Sequence, residues 1–132
     1  MSRLVKGIHH VALKCSSVEQ YEEAVAFYHE ILELPVVRSW GEGESAGIMI
    51  DTGSGLIEIF AQGQAQQETG SVNHFAFATN QPDMCVKAVR EAGYKVTLEP
   101  KELTINSIPA FPVRIAFVIG PVGEEIEFFE EK

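Results

Sequence analysis

The order strand, helix, strand, strand, strand is written twice in this chain, and an internal repeat of that kind constrains the fold more than any single residue can. It shows first in two short segments of matching pattern, Ile8-His9-His10-Val11-Ala12-Leu13 and Asn73-His74-Phe75-Ala76-Phe77-Ala78. Alternate residues of a strand point to opposite faces. Val11 and Leu13 therefore share one bulky apolar face, as do Phe75 and Phe77. His10 shares the other face with Ala12, and His74 shares it with Ala76 and Ala78. Each strand offers one imidazole over a floor of alanine.

The elements between these strands follow the same plan. After the strand at 8–14, Ser17 reads as a helix N-cap, with Gln20 three residues on completing a capping box. Tyr21, Ala24, Val25, Tyr28, Ile31 and Leu32 recur at helical spacing from Val18 to about Leu32, and Pro35 prevents continuation. Three β segments follow, Val36 to Trp40, Ile48 to Thr52 and Leu56 to Ala61, with glycine-bearing turns between them. The polar, aperiodic stretch 62–71 reads as a linker. The second half then restarts with a strand at 72–79. Asn80 and Pro82 mark the start of a helix whose buried stripe is expected at Cys85, Ala88, Val89 and Ala92, with Gly93 as its cap. Strands are expected at about Lys95 to Glu99, Val113 to Ile119 and Glu125 to Phe129. Loops 41–47 and 104–112 stand where a lid could sit.

Composition narrows the function classes. The 132 residues suit one domain. The net charge of −9, from 19 acidic and 10 basic residues, repels phosphate backbones, so no nucleic-acid partner is expected. No apolar run is long enough to cross a bilayer and no charged-then-apolar leader opens the chain, so the expectation is a cytoplasmic protein with no membrane partner. Cys15 and Cys85 lack metal-like spacing and read as reduced packing residues.

The last strand of each half ends alike, Leu56-Ile57-Glu58-Ile59-Phe60 and Glu125-Ile126-Glu127-Phe128-Phe129. Each half thus adds one carboxylate to its imidazole, 48 residues after His10 in the first half and 53 after His74 in the second. An unpaired buried carboxylate costs several kcal/mol, roughly, and two close together repel. A divalent cation relieves both costs. Two carboxylates and two neutral imidazoles balance its charge, and this nitrogen and oxygen donor set suits Zn, Ni, Co, Mn or Fe(II) rather than Cu(I) or an iron–sulfur cluster.

With these residues the chain resembles the vicinal oxygen chelate superfamily, which includes glyoxalase I, methylmalonyl-CoA epimerase, ring-cleaving dioxygenases and the fosfomycin and bleomycin resistance proteins. The resemblance covers roughly residues 7 to 131. It implies an α+β fold of two tandem βαβββ modules forming a curved mixed sheet with helices on the outer face. The whole is one domain over 1–132, with module one at about 7–61 and module two at about 72–131. It implies the metal ligands His10, Glu58, His74 and Glu127. Both glutamates favour the isomerase branch, because the dioxygenases and fosfomycin enzymes use two His and one Glu.

The expected function is then a metal-dependent lyase or isomerase of the glyoxalase I type. The metal acts as a Lewis acid stabilising an enediolate, and Glu127 or Glu58 moves the proton beside the carbonyl. The substrate would be a thiol hemithioacetal or, in an epimerase-like alternative, an acyl-CoA. A metal-containing binding or resistance protein without turnover is the reading from another class. Arg38 and Arg114 stand as candidates to clamp an anionic group, and surface salt bridges are their plain alternative. Trp40, Phe60 and Phe129 are candidates to line the cavity, where core packing is the plain alternative. His9 is expected on the helix side and His29 in solvent. Open sheet edges suggest a homodimer.

Overall fold

The computed structural model describes residues 8–62, 74–107 and 109–132. The chain divides into two compact units, Met1–Ala65 and Gln66–Lys132. Unit one contains β1 (His10–Lys14), α1 (Val18–Val25), β2 (Val36–Trp40), β3 (Gly47–Asp51) and β4 (Leu56–Phe60). Unit two contains β5 (Phe75–Ala78), α2 (Pro82–Glu91), β6 (Val96–Ile105), β7 (Phe111–Ile119) and β8 (Glu125–Glu131). This is the expected α+β class with a βαβββ order written twice. The strands form two four-stranded mixed sheets, ordered β1-β4-β3-β2 and β5-β8-β7-β6. In each, the first strand runs parallel to the last and the other pairs are antiparallel. Most of the expected linker, together with Val72 and Asn73, lies outside the described residues.

Parallel pairing of the first and last strands needs a crossover connection, and the helix supplies it. In unit one the Ser17 side chain accepts from the Gln20 N–H at 3.1 Å. The Gln20 side chain reaches back one residue further than a capping box requires, accepting from the Ser16 N–H at 2.8 Å. The helix does not stay α-helical to its end. It widens into a π-helical stretch over Ala26–Ile31, in which the Leu32 N–H bonds to the Phe27 carbonyl at 3.0 Å. The wider turn rotates the stripe, so Phe27 and Tyr28 are both fully buried and pack edge to face at 4.9 Å. Phe27 was not on the stripe that a constant helical period predicts.

α2 differs from expectation in a smaller way. Its buried residues are Pro82, Val86 and Val89, whereas Ala92 is exposed because the helix has already ended. Gly93, at φ 93°, closes it with the Tyr94 N–H on the Val89 carbonyl and the Gly93 N–H on the Arg90 carbonyl. That pair of bonds is a Schellman motif, for which glycine's freedom at positive φ is suited.

The long hairpin of unit two also departs from the sequence expectation. β6 runs on to Ile105 and β7 starts at Phe111, so the candidate lid loop 104–112 shrinks to 106–110, of which 108 lies outside the described residues. Pro100 halts a strand in sequence patterning, yet here it sits on the sheet's edge strand where the register shifts between Leu98 and Lys101. An edge strand at an irregularity needs no inward N–H, which is the place a sheet tolerates proline. The other candidate lid, 41–47, contains a single 3-10 turn over Gly43–Ser45, in which the Ser45 hydroxyl donates to the Glu42 carbonyl.

Each sheet buries one face. Ile57, Ile59, Ile48 and Ile50 are buried in unit one, and Ile126, Phe128, Ala116 and Val118 in unit two, where α2 packs against β6, β7 and β8. Ala12, Ala76 and Ala78 lie on the opposite, exposed faces. The helix caps are therefore worth testing as scaffold elements. Ser17→Ala is expected to lower stability by about 1 kcal/mol, the usual cost of losing such a cap, measured by urea unfolding followed by circular dichroism.

Candidate metal centre

Strand register explains how each histidine meets its glutamate. β1 and β4 pair so that Ala12 stands opposite Glu58, and β5 and β8 pair so that Ala76 stands opposite Glu127. The histidine lies two residues before that alanine, on the same face. Alanine leaves room beside the carboxylate, and the imidazole leans along the strand to fill it. His10 Nε2 comes to 3.3 Å from Glu58 Oε1, and His74 Nε2 to 3.1 Å from Glu127 Oε1. The two ladders match further: Cys15 and Thr79 donate their N–H groups to the carbonyls of Phe60 and Phe129.

The pairs differ in burial. Glu127 is 8% exposed, the one charged residue in the buried set among the described residues, whereas Glu58 is half-buried. Desolvation pushes the Glu127 carboxyl above its ordinary value of 4.5, the His74 imidazole pulls it back down, and Glu125 raises it. The His74 ring stands edge-on to Phe117 at 5.2 Å, which restricts its rotation.

The surroundings of the two pairs follow from the same register. Glu58 has Met49 beside it on β3, and Glu127 has Phe117 beside it on β7. Neither neighbour was singled out from sequence, because finding them needs the pairing of strands as well as the alternation within one. Arg38 lies opposite Met49 and donates from Nη1 to its Sδ at 3.3 Å, so Arg38 belongs to the Glu58 face. Trp40 stands on that face too. Its indole covers Gly47, where an added Cβ would clash with the ring atoms, and its ring centroid is 6.0 Å from that of Phe60. Phe129 shares the Glu127 face and packs against Phe111 at 5.7 Å.

Arg114 follows its plain alternative, a salt bridge, and not the clamp. It alternates with Phe117 and shares a face with Ala116 and Val118, on the helix side, where its guanidinium donates to both carboxylate oxygens of Asp83 on α2 at 2.9 and 3.1 Å. It does not point to the His74–Glu127 side. His9 differs from expectation. It is exposed, and its Nδ1 lies 3.0 Å from His10 Nδ1 rather than beneath the helix. His29 is exposed as expected, with Nδ1 2.8 Å from the Leu34 carbonyl.

Each pair offers one nitrogen and one oxygen donor, and such a donor set fits a divalent cation of the borderline or hard kind. Among the described residues, no group of three or more His, Cys, Asp and Glu side chains gathers at one point. A pair by itself is half of a usual coordination set.

Comparison with known proteins follows the same line. The family model for the Glyoxalase/Bleomycin resistance protein/Dioxygenase superfamily matches residues 7–128. The uncharacterized protein YwkD of Bacillus subtilis (strain 168) is 29% identical over 136 residues, covering 97% of this chain and 99% of its own length. Among solved structures, the trypanothione-dependent glyoxalase I of Leishmania major superposes with a TM-score of 0.70 at 19% identity, over 96% of this chain and 87% of that one. The fosfomycin resistance protein FosX of Listeria monocytogenes gives 0.70 at 15% identity, over 98% and 96%. At such identities the structural likenesses speak for the fold alone.

The buried carboxylate makes a prediction about the metal-free protein. A carboxyl whose folded value lies above its unfolded one supports the fold fully below the unfolded value, and that support is lost as pH rises through the folded value. Stability of the metal-free protein should therefore fall as pH climbs from about 4.5. Glu127→Gln should flatten that fall and raise the melting temperature at pH 7, read by thermal unfolding across pH in the presence of a chelator.

Proposed function

The chain belongs to the glyoxalase/bleomycin resistance protein/dioxygenase superfamily, and from that premise we propose that it is a metal-dependent lyase or isomerase of the glyoxalase I type. The observation that carries the proposal is the duplicated pair: in each unit an imidazole Nε2 and a carboxylate Oε1 stand 3.1–3.3 Å apart on matching register positions. His10, Glu58, His74 and Glu127 would be the ligands of a divalent cation, Zn or Ni. Such an ion supplies Lewis-acid polarisation of a substrate carbonyl when bound.

The chain's own residues supply the rest. Glu127 is the proton carrier. Its burial raises its affinity for a proton above that of an ordinary carboxylate, and His74 at 3.1 Å keeps its carboxylate aimed. It removes the proton from the carbon beside the carbonyl and returns one to the neighbouring carbon, so the reaction is an isomerisation with no net gain or loss of atoms. Glu58, less buried, serves as a ligand. Phe117 and Phe129 exclude water around Glu127, which preserves the strength of these interactions.

His9 takes a supporting part. A histidine that ligates through Nε2 must carry its proton on Nδ1, and that N–H needs an acceptor. The His9 Nδ1, 3.0 Å from His10 Nδ1, is placed to accept that proton in the tautomer of His9 protonated on Nε2. The assembly we propose is a cytoplasmic homodimer whose copies cover sheet edges such as β2, all five residues of which are exposed.

Metal titration tests the shared site. One ion per chain is expected, with His10→Ala and His74→Ala each abolishing its binding. Two ions per chain, with each variant losing one, would replace the shared site by two separate ones. Glu127→Gln should retain most of the metal and lose turnover of a methylglyoxal–thiol hemithioacetal by at least a hundredfold, roughly the contribution of a positioned acid–base group; unchanged turnover would remove Glu127 from that role. His9→Phe should weaken metal binding by about tenfold, the low end for losing an outer-shell partner, measured by competition with a chromogenic chelator.

A further inference from the structure

Arg38 is set apart by what it lacks. Arg90 pairs with Glu99 and Arg114 with Asp83, each a carboxylate of its own unit. Arg38, in a chain carrying 19 acidic residues, has no carboxylate partner among the described residues, and its one hydrogen bond there goes to the Met49 thioether. Thioether sulfur is a weak acceptor, so the guanidinium keeps nearly all of its donor capacity. A guanidinium is charged at every relevant pH and its fork of donors matches a carboxylate bidentately.

Its position is fixed by register. Arg38, Met49 and Glu58 stand side by side across β2, β3 and β4. Two strand spacings separate the first from the last, about 10 Å between backbones. The next row along holds Trp40, Gly47 and Phe60, and the bare backbone of Gly47 leaves the space that the indole occupies. A cation and a flat aromatic wall thus stand on the same face as the His10–Glu58 pair.

The second unit serves as an internal control. There the row through Glu127 runs to Phe117 and then to Leu98. The strand order is the same and the register shifts at the same step, Val36 to Arg38 and Val96 to Leu98, so leucine fills the position held by arginine in unit one. The fold does not require a cation there.

From these observations we propose that Arg38 is a substrate-binding residue, and that the carbonyl substrate carries a second, carboxylate end a few carbons from the reacting carbonyl. The subsite rests on the metal-isomerase reading for its reacting end and on Arg38 and Trp40 for its other end. The guanidinium holds the carboxylate through two N–H donors, and the Trp40 and Phe60 rings flank the carbon chain between.

Trp40 is the only tryptophan, so its fluorescence reports on this face. The probes are 2-oxoglutarate and 2-oxopentanoate, which differ in the distal carboxylate, titrated into the dimer or monomer as purified, with and without saturating zinc. Wild type should bind 2-oxoglutarate at least tenfold more tightly than 2-oxopentanoate, and Arg38→Gln should bring the two within threefold while binding zinc as wild type does. Equal affinity in wild type, a preference retained in Arg38→Gln, or no binding of either probe overturns the subsite. Zinc content, measured separately, judges the metal reading: loss of zinc binding in wild type sinks that reading, while the comparison of probes still decides Arg38.

Discussion

A carboxylate set into the middle of a sheet strand is the constraint from which the rest follows. Glu127 sits between Ile126 and Phe128, both buried, in a strand flanked on both sides by partners. Alternation turns it away from the hydrophobic layer that α2 covers, but not into open water, and it remains 8% exposed. Such a group must be neutralised, hydrogen-bonded or paired with a cation. The chain meets that need by placing a histidine two residues before an alanine on the parallel neighbour. The alanine makes the space and the histidine enters it. The same solution appears at Glu58 with a lower degree of burial.

This accounts for which parts of the molecule were legible from sequence. The His-x-Ala and Ile-Glu patterns have period two, and period-two signals survive in a strand whatever its partners, so both pairs could be identified residue by residue. The duplicated order was equally open, because it depends on element types and not on their bounds. What was hidden required knowledge of pairing. Met49 and Phe117 lie beside the glutamates only because β3 and β7 are in a particular register with β4 and β8. Of the two readings open for Arg114 the structure shows the salt bridge, and sequence could not choose between them for a related reason. One residue of parity separates the site face from the helix face, and the Asp83 carboxylate that claims Arg114 belongs to a helix 31 residues earlier.

The helices show a different limit. A 3.6-residue period predicts a stripe only while the hydrogen bonds stay i to i+4. Where α1 passes into a π-helical stretch, the stripe turns and brings Phe27 inward beside Tyr28. A π turn is favoured by how the surrounding core packs, and no local residue preference announces it. At Gly93 the opposite holds. Its φ of 93° is a demand that glycine meets without strain, so the cap was readable in advance.

Comparison of the two units separates what the fold requires from what a ligand would require. Positions that agree between them, the His–Glu pairs, the facing alanines and the phenylalanines two residues after each glutamate, are those needed to hold a carboxylate and an imidazole together on a sheet. Positions that disagree are released from that duty. Arg38 against Leu98 is the sharpest disagreement, since an exposed guanidinium with no carboxylate partner among the described residues gains nothing for folding that leucine would not supply. The Met49 thioether cannot account for it, because that contact is too weak to hold a charged side chain in place. On the proposed reading, recognition is written in the difference between the halves and the chemistry in their likeness.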